Sequence, residues 1–85
     1  MQKFVYTIKD PLGLHARPAG LLAKEAAKFQ AQTNISVQNK TADMKRIIAL
    51  MTLGIKQGME VTVTTQGTDE VEAIEALEKL LTTNL

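Results

Sequence analysis

The chain has 85 residues, enough for a single core, and we expect residues 1–85 to form one domain. Hydrophobic residues make up 45% and charged residues 22%, which is typical of a globular protein and excludes a disordered one. The net charge of +1 argues against a protein that binds nucleic acid through charge, and the absence of cysteine excludes disulfides and cysteine zinc sites.

The first segment alternates in the manner of a β-strand. Three larger apolar side chains alternate with three others over residues 4–9: Phe4, Tyr6 and Ile8 with Val5, Thr7 and Lys9. Asp10-Pro11-Leu12-Gly13 then breaks this strand as a turn. This start lacks the apolar run of a signal peptide, and no stretch reaches transmembrane length. We therefore expect a cytoplasmic protein with no direct membrane insertion.

From Pro18 the apolar period becomes that of a helix. One face of this helix carries Ala19, Leu22, Ala23, Ala26 and Phe29. Pro18 suits a position in the first turn, where no intrahelical amide bond is lost. Ile35 and Val37 predict a short second strand. Gln38-Asn39-Lys40 predicts a tight turn into a third strand around residues 40–42.

The second half continues with a helix, a strand and a helix. We predict a short helix around residues 46–53, ended by Gly54, and a fourth strand between Gly58 and Gly67. Asp69 followed by Glu72 resembles a capping box. The final helix after it has an apolar side made of Ala73, Ile74, Ala76, Leu77, Leu80 and Leu81. The order βαββαβα predicts an α+β fold with helices packed on one face of an antiparallel sheet.

The segment from Gly13 to Pro18 carries the chemistry. His15, the only histidine, precedes a helix start, and a neutral imidazole is a nucleophile that can accept a phosphoryl group directly. The helix start supplies unpaired amides, here those of Ala16 and Arg17, and the Arg17 guanidinium adds a charged donor for an anion. A lone histidine in a small domain more often caps a helix or occupies a loop, so the residue types alone leave that alternative open.

The run Leu14-His15-Ala16-Arg17-Pro18-Ala19 resembles the active-centre signature of the HPr family of phosphocarrier proteins, which serve the bacterial phosphoenolpyruvate:sugar phosphotransferase system. The similarity continues at residues 40–45, 51–54, 67–70 and 73–81, and so covers nearly the whole chain. It implies an open-faced β-sandwich, a four-stranded antiparallel sheet with three helices on one face.

The same resemblance implies a function. His15 would accept phosphate on Nδ1 from phospho-enzyme I and pass it to the EIIA domains of sugar permeases, while Arg17 would stabilise the phosphoryl group. A protein of this kind is a carrier and not an enzyme, and it needs no cofactor. We also expect a monomer, since a carrier of this kind moves between partners.

The predicted short helix is apolar on two sides. Leu50 and Leu53 can face the core, whereas Ile47, Ile48 and Met51 lie together on another side. The pattern leaves two interpretations open, a helix that is buried all round or one that presents a side to a partner. The resemblance favours the second, because HPr proteins bind enzyme I and EIIA through apolar residues of this helix.

Position 46 departs from the family. Many HPr proteins carry a regulatory serine immediately after the lysine that matches Lys45, and this chain has Arg46 there. Because arginine has no hydroxyl, serine phosphorylation is excluded at this position. Ser36 is the only serine and falls in the second strand, where we expect a structural role. The hydroxyl of Thr52 is expected to bond locally within the short helix.

Other functions compete with the sugar-specific carrier. An HPr-like regulatory module of a nitrogen-branch phosphotransferase system would share the histidine motif. A nucleic-acid or ligand-binding domain with an incidental His15 is disfavoured, because the only aromatic residues, Phe4, Tyr6 and Phe29, fall in core patterns. A metal-dependent enzyme is also disfavoured, because one histidine and no cysteine leave only carboxylates as ligands, so we expect no metal.

Overall fold

The computed structural model describes residues 1–85 and contains four strands and three helices. The strands are β1 (Gln2–Thr7), β2 (Gln32–Val37), β3 (Lys40–Asp43) and β4 (Glu60–Gln66), and the helices are α1 (Ala16–Ala26), α2 (Ile47–Thr52) and α3 (Glu70–Asn84). This is the predicted order βαββαβα. None of the helices combines the length and the apolar character that a membrane span requires.

The strands form one antiparallel sheet in the order β1-β4-β2-β3. Because side chains alternate along a strand, each strand gives one row to the core and one to the open face. In the centre of the sheet Val63 pairs with Ile35, and both are buried, whereas their neighbours Thr62 and Ser36 pair on the open face and are half-buried.

The helices cover one face of this sheet, as predicted. A single cluster of 18 buried residues joins the inward residues of the strands to all three helices, for example Leu22 of α1, Leu50 of α2 and Leu77 of α3. The α+β, open-faced arrangement expected from the sequence is therefore confirmed. Burial of these side chains is the main source of stability in a chain of this size.

Some element boundaries differ from the predicted ones, and at the end of β1 a tertiary hydrogen bond is the reason. The first strand begins at Gln2 and leaves the ladder after Thr7, because the Ile8 amide donates instead to the carbonyl of Met59 at 2.9 Å. Helix α1 begins at Ala16, two residues before Pro18, and α2 is shorter than predicted. The tight turn between β2 and β3 is confirmed, with positive φ at both Gln38 and Asn39.

The predicted capping box at the start of α3 is wrong. Asp69 occupies the N-cap position, but its side chain makes no capping bond to its own helix. Its two carboxylate oxygens accept hydrogen bonds from the amides of Gln30 and Ala31, at 2.9 and 2.8 Å. Asp69 therefore links the start of α3 to the segment that leads from α1 into β2, a contact across 38 residues of sequence.

These bonds favour the ionised form of Asp69. The pKa of its carboxyl group lies below the ordinary value of 3.8, chiefly because the Gln30 amide donates to it, helped by the Ala31 amide and the nearby Lys45 ammonium and opposed by partial desolvation. A lowered pKa in the folded state means that the carboxylate stabilises the fold fully above the ordinary pKa. That contribution is lost as the pH falls through the lower folded value.

We therefore predict that Asp69→Asn has a lower free energy of unfolding than the parent at neutral pH and loses less of it on acidification. Urea unfolding between about pH 6 and about pH 2.5 crosses the ordinary pKa of the carboxyl group, below which its contribution begins to be lost. Glu72→Gln is the matched control, because Glu72 lies in the first turn of the same helix and forms no ion pair. If the free energies of unfolding of the parent and of Asp69→Asn fall in parallel as the pH is lowered, this role of Asp69 is contradicted.

Candidate functional site

The loop before α1 is a compact turn built around Asp10. The Asp10 carbonyl accepts a hydrogen bond from the Gly13 amide at 2.9 Å, and its Oδ1 accepts one from the Leu12 amide at 2.8 Å. Asp side chains commonly close turns in this way. The amides of Lys9 and Asp10 both donate to the carbonyl of Leu85, so the end of α3 holds the start of the loop.

The far side of the loop lies against the segment before β4. Gly13 has φ +67°, and a Cβ added there would collide with the carbonyl oxygen of Ile55 and lie 2.8 Å from the Cα of Lys56. The next amide, that of Leu14, donates to the same Ile55 oxygen at 3.0 Å, and the Leu14 side chain is buried. Glycine at position 13 thus lets the loop approach Ile55 closely, which fixes where the following residue lies.

His15 follows directly and is the N-cap residue of α1. Its backbone is extended, with φ −108° and ψ −174°, and its side chain makes no capping bond. The first helical hydrogen bond runs from the Ala19 amide to the His15 carbonyl at 3.0 Å. The amides of Ala16 and Arg17 therefore precede the hydrogen-bonded part of the helix and have no intrahelical acceptor, and Pro18 has no N–H to leave unpaired.

An open depression of about 230 Å³ lies at this helix start. It is lined by six residues: Asp10, Leu12, His15, Arg17, Pro18 and Asn84. The structure therefore brings together His15 and Arg17, as the sequence led us to expect. The Arg17 side chain is exposed and forms no ion pair within the chain, so its guanidinium is available to an anion beside His15.

Three lining residues were missed by reasoning from the sequence. Asp10 and Leu12 belong to a segment that was interpreted only as a strand break, although an Asp two residues before another turn residue is a known signal for a side-chain-closed turn. Asn84 comes from the end of α3, and no local pattern indicates that this end lies next to α1.

The apolar patch predicted on the short helix is exposed. Ile47, Ile48 and Met51 have 38%, 73% and 43% of their surface accessible, whereas Leu50 and Leu53 are buried. The patch adjoins α1, because a Cβ added at Gly20 would meet Cδ1 of Ile47 at 3.6 Å. The interpretation that all five apolar residues are core is therefore wrong, and α2 presents one apolar side to solvent next to the helix that begins at His15.

Position 46 is the N-cap of α2. Arg46 is exposed and forms no ion pair, while the neighbouring Lys45 ammonium donates to the carbonyl of Phe29 at 2.8 Å. The Ser36 hydroxyl pairs across the sheet with that of Thr41 at 3.0 Å, and the Thr52 hydroxyl donates to the carbonyl of Ile48 at 2.7 Å. Both contacts match the local structural roles expected for Ser36 and Thr52. No three His, Asp or Glu side chains are grouped so that they could hold a metal ion.

Comparisons with known proteins agree with one another. The family model for the PTS HPr component phosphorylation site matches residues 2–83. The phosphocarrier protein HPr of Mycoplasma pneumoniae is 44% identical over 82 residues, which cover 95% of this chain and 93% of that protein.

Two solved structures have the same fold. The histidine-containing phosphocarrier protein of Mycoplasma superposes with a TM-score of 0.95 at 40% identity, covering 96% of this chain and 93% of that one. HPr from Thermoanaerobacter tengcongensis superposes with a TM-score of 0.92 at 41% identity, covering 98% and 93%.

We predict that Gly13→Ala destabilises the chain more than Gly54→Ala does. Both glycines have nearly the same positive φ, +67° and +68°, but an added Cβ meets the Ile55 carbonyl at position 13 and nothing within 4 Å at position 54. Gly54→Ala should therefore show only the backbone penalty of about 1 kcal/mol. Gly13→Ala should add the loss of the contact with Ile55. Equal free energies of unfolding in urea would show that the close approach at Gly13 contributes nothing.

Proposed function

The chain belongs to the HPr family of phosphocarrier proteins, and from that premise we propose that His15 is the residue on which it carries the phosphoryl group. A phosphocarrier is a carrier and not a catalyst. The observation that carries the assignment is the open depression, where the only histidine of the chain lies beside the free amides of a helix start and an unpaired guanidinium.

The proposed transfer is a substitution at phosphorus. An unprotonated ring nitrogen of His15, taken from the family as Nδ1, donates its electron pair to the phosphorus of the donor. The bond between phosphorus and the donor breaks with its electron pair remaining on the donor, so the phosphoryl group moves without redox change. His15 then holds it as a covalent intermediate until an acceptor attacks phosphorus in the same way.

The surroundings of His15 suit the charge that this intermediate carries. The amides of Ala16 and Arg17 point out of the helix start, where the helix dipole also favours an anion. The exposed Arg17 guanidinium can reach a phosphoryl oxygen from the same depression and return to solvent afterwards. Donors of this kind stabilise a transferring phosphoryl group without reacting themselves.

The proposed partners are enzyme I as the donor and EIIA domains of sugar permeases as acceptors. The exposed side of α2 made of Ile47, Ile48 and Met51 is the proposed docking patch. Two of the five other large apolar side chains that the fold leaves exposed, Leu12 and Leu21, lie on the loop before α1 and on α1 itself. An adaptable Met51 suits a patch that has to fit more than one partner. A monomer in the cytoplasm is part of this proposal.

Arg46 gives the proposed docking patch a fixed positive charge at its edge. The side chain is exposed at the N-cap of α2, directly before Ile47. Since no hydroxyl is present there, a kinase cannot place a negative charge on this position, and any regulation of docking would have to act elsewhere. A positive charge also favours association with an acidic partner surface.

The first prediction of this function is that phosphoenolpyruvate and enzyme I modify the parent chain but not His15→Ala. Intact mass and acid lability would report the phosphoryl group, because phosphohistidine is hydrolysed in acid. Urea unfolding should show little change, since His15 makes no capping bond. Full phosphate incorporation into His15→Ala would refute the assignment.

Comparing enzyme I of the sugar system with that of a nitrogen-branch system identifies the donor. We expect the sugar-system enzyme to phosphorylate this chain faster than the nitrogen-branch enzyme does. The opposite preference would replace the sugar-transport proposal.

Arg17→Glu tests the anion-binding role in the same phosphorylation assay. We expect transfer to slow by about 100-fold or more, with the free energy of unfolding nearly unchanged.

The proposed docking patch is tested by placing charge in it. Ile48→Asp combined with Met51→Asp should weaken binding to both enzyme I and EIIA by at least about tenfold, because a carboxylate in an apolar interface is desolvated without a partner. Val71→Asp is the control, since Val71 is 47% exposed and belongs to α3, outside the proposed docking patch. Calorimetry would give the affinities, and an equal loss in both variants would contradict the patch.

A further inference from the structure

Asp10 places a negative charge in the depression that holds His15 and Arg17. Its carboxylate has no ion-pair partner. The two ion pairs of the chain join the Met1 amine to Glu70 and Lys28 to Glu25. A carboxylate in a site proposed to hold a phosphoryl group repels that group and therefore lowers the stability of the phosphorylated form.

The position of this carboxylate is fixed by the turn. Oδ1 accepts from the Leu12 amide at 2.8 Å, the Asp10 carbonyl accepts from the Gly13 amide at 2.9 Å, and the Asp10 amide donates to Leu85. Three hydrogen bonds therefore hold the residue on the wall of the depression. The turn needs an acceptor at this position, but it does not need a charge, because an Asn side chain closes the same kind of turn.

We propose that the Asp10 carboxylate destabilises phospho-His15 and thereby strengthens the tendency of this chain to give up its phosphoryl group, an inference that rests on the proposed function. A phosphoryl group adds nearly two negative charges. Asp10 and His15 line the same depression of about 230 Å³, and the Debye length at physiological ionic strength is about 8 Å, so repulsion across the depression is screened only in part.

The Asp10 carboxylate also acts through Arg17, and this contribution likewise disfavours phospho-His15. Arg17 lines the depression together with Asp10 without pairing with it, so the carboxylate offsets part of the positive potential that the guanidinium provides for the phosphoryl group. Asp10 takes no part in making or breaking the bond to phosphorus, and the atoms and electrons of the transfer are those of the substitution described above. It shifts the equilibrium of phosphoryl exchange between the donor and His15 towards the donor.

A second turn of the same chain provides the control. Oδ1 of Asp43 accepts from the Lys45 amide at 2.9 Å, and its carbonyl accepts from the Arg46 amide at 3.1 Å, which repeats the hydrogen bonds of Asp10. Asp43 does not line the depression. Asp43→Asn therefore removes the same charge from the same type of turn without changing the surroundings of His15.

The experiment equilibrates each variant with enzyme I, phosphoenolpyruvate and pyruvate, and measures the phosphorylated fraction of both proteins by intact mass. At about 20 mM salt, Asp10→Asn should raise the equilibrium constant for phosphorylation of His15 about three- to tenfold, whereas Asp43→Asn should leave it unchanged. At about 1 M salt, where the Debye length is about 3 Å, most of the Asp10→Asn shift should disappear.

Each outcome bears on the proposal. An equilibrium constant for Asp10→Asn equal to that of Asp43→Asn at low salt overturns it, and so does a shift that persists at high salt, which would reflect the geometry of the turn. Asp10→Ser, whose hydroxyl can accept the Leu12 amide, is used if circular dichroism shows that Asp10→Asn does not fold. A parent chain that takes no phosphate on His15 refutes the proposed function as well, whereas an unchanged equilibrium in a phosphorylated chain refutes this inference alone.

Discussion

The close approach of Gly13 and Leu14 to the carbonyl of Ile55 is the contact on which the arrangement around His15 depends. Gly13 adopts a positive φ there without strain, and the next amide, that of Leu14, donates a hydrogen bond to the Ile55 carbonyl. Because Leu14 is then buried, the chain leaves the core at His15 in an extended conformation, and α1 begins with its first amides free. A side chain at position 13 would move all of these features together.

The fold separates what holds the molecule together from what it presents to solvent. The sheet supplies a buried inner face to the core and leaves half-buried or exposed polar residues on its outer face. The apolar residues that escape burial lie mainly on α1, α2 and the loop before α1. Charge, apolar surface and the free helix start therefore lie on neighbouring elements, while one link that stabilises the fold, from Asp69 to Gln30 and Ala31, lies elsewhere.

Much of this could be predicted from the sequence, because the periodicity of each segment is strong and local. The alternation in β4, the αL glycine after α2 and the turn at Gln38-Asn39 are all properties of a few neighbouring residues. The proximity of His15 and Arg17 is local as well. The side chain of Asp69 could not be predicted, because local geometry offered it a capping bond and the folded chain offered two amides 38 and 39 residues away. The same limit explains why Asp10 and Asn84 were missed as neighbours of His15.

The bonds from Lys9 and Asp10 to Leu85 have a consequence for partner binding. They fasten the start of the loop before α1 to the flank of α3, while the contact of Gly13 and Leu14 with Ile55 fastens its other end. A loop held at both ends loses little conformational entropy when another molecule binds to it. The surface around His15 is therefore organised before a partner arrives, and little of the binding free energy is spent on ordering it.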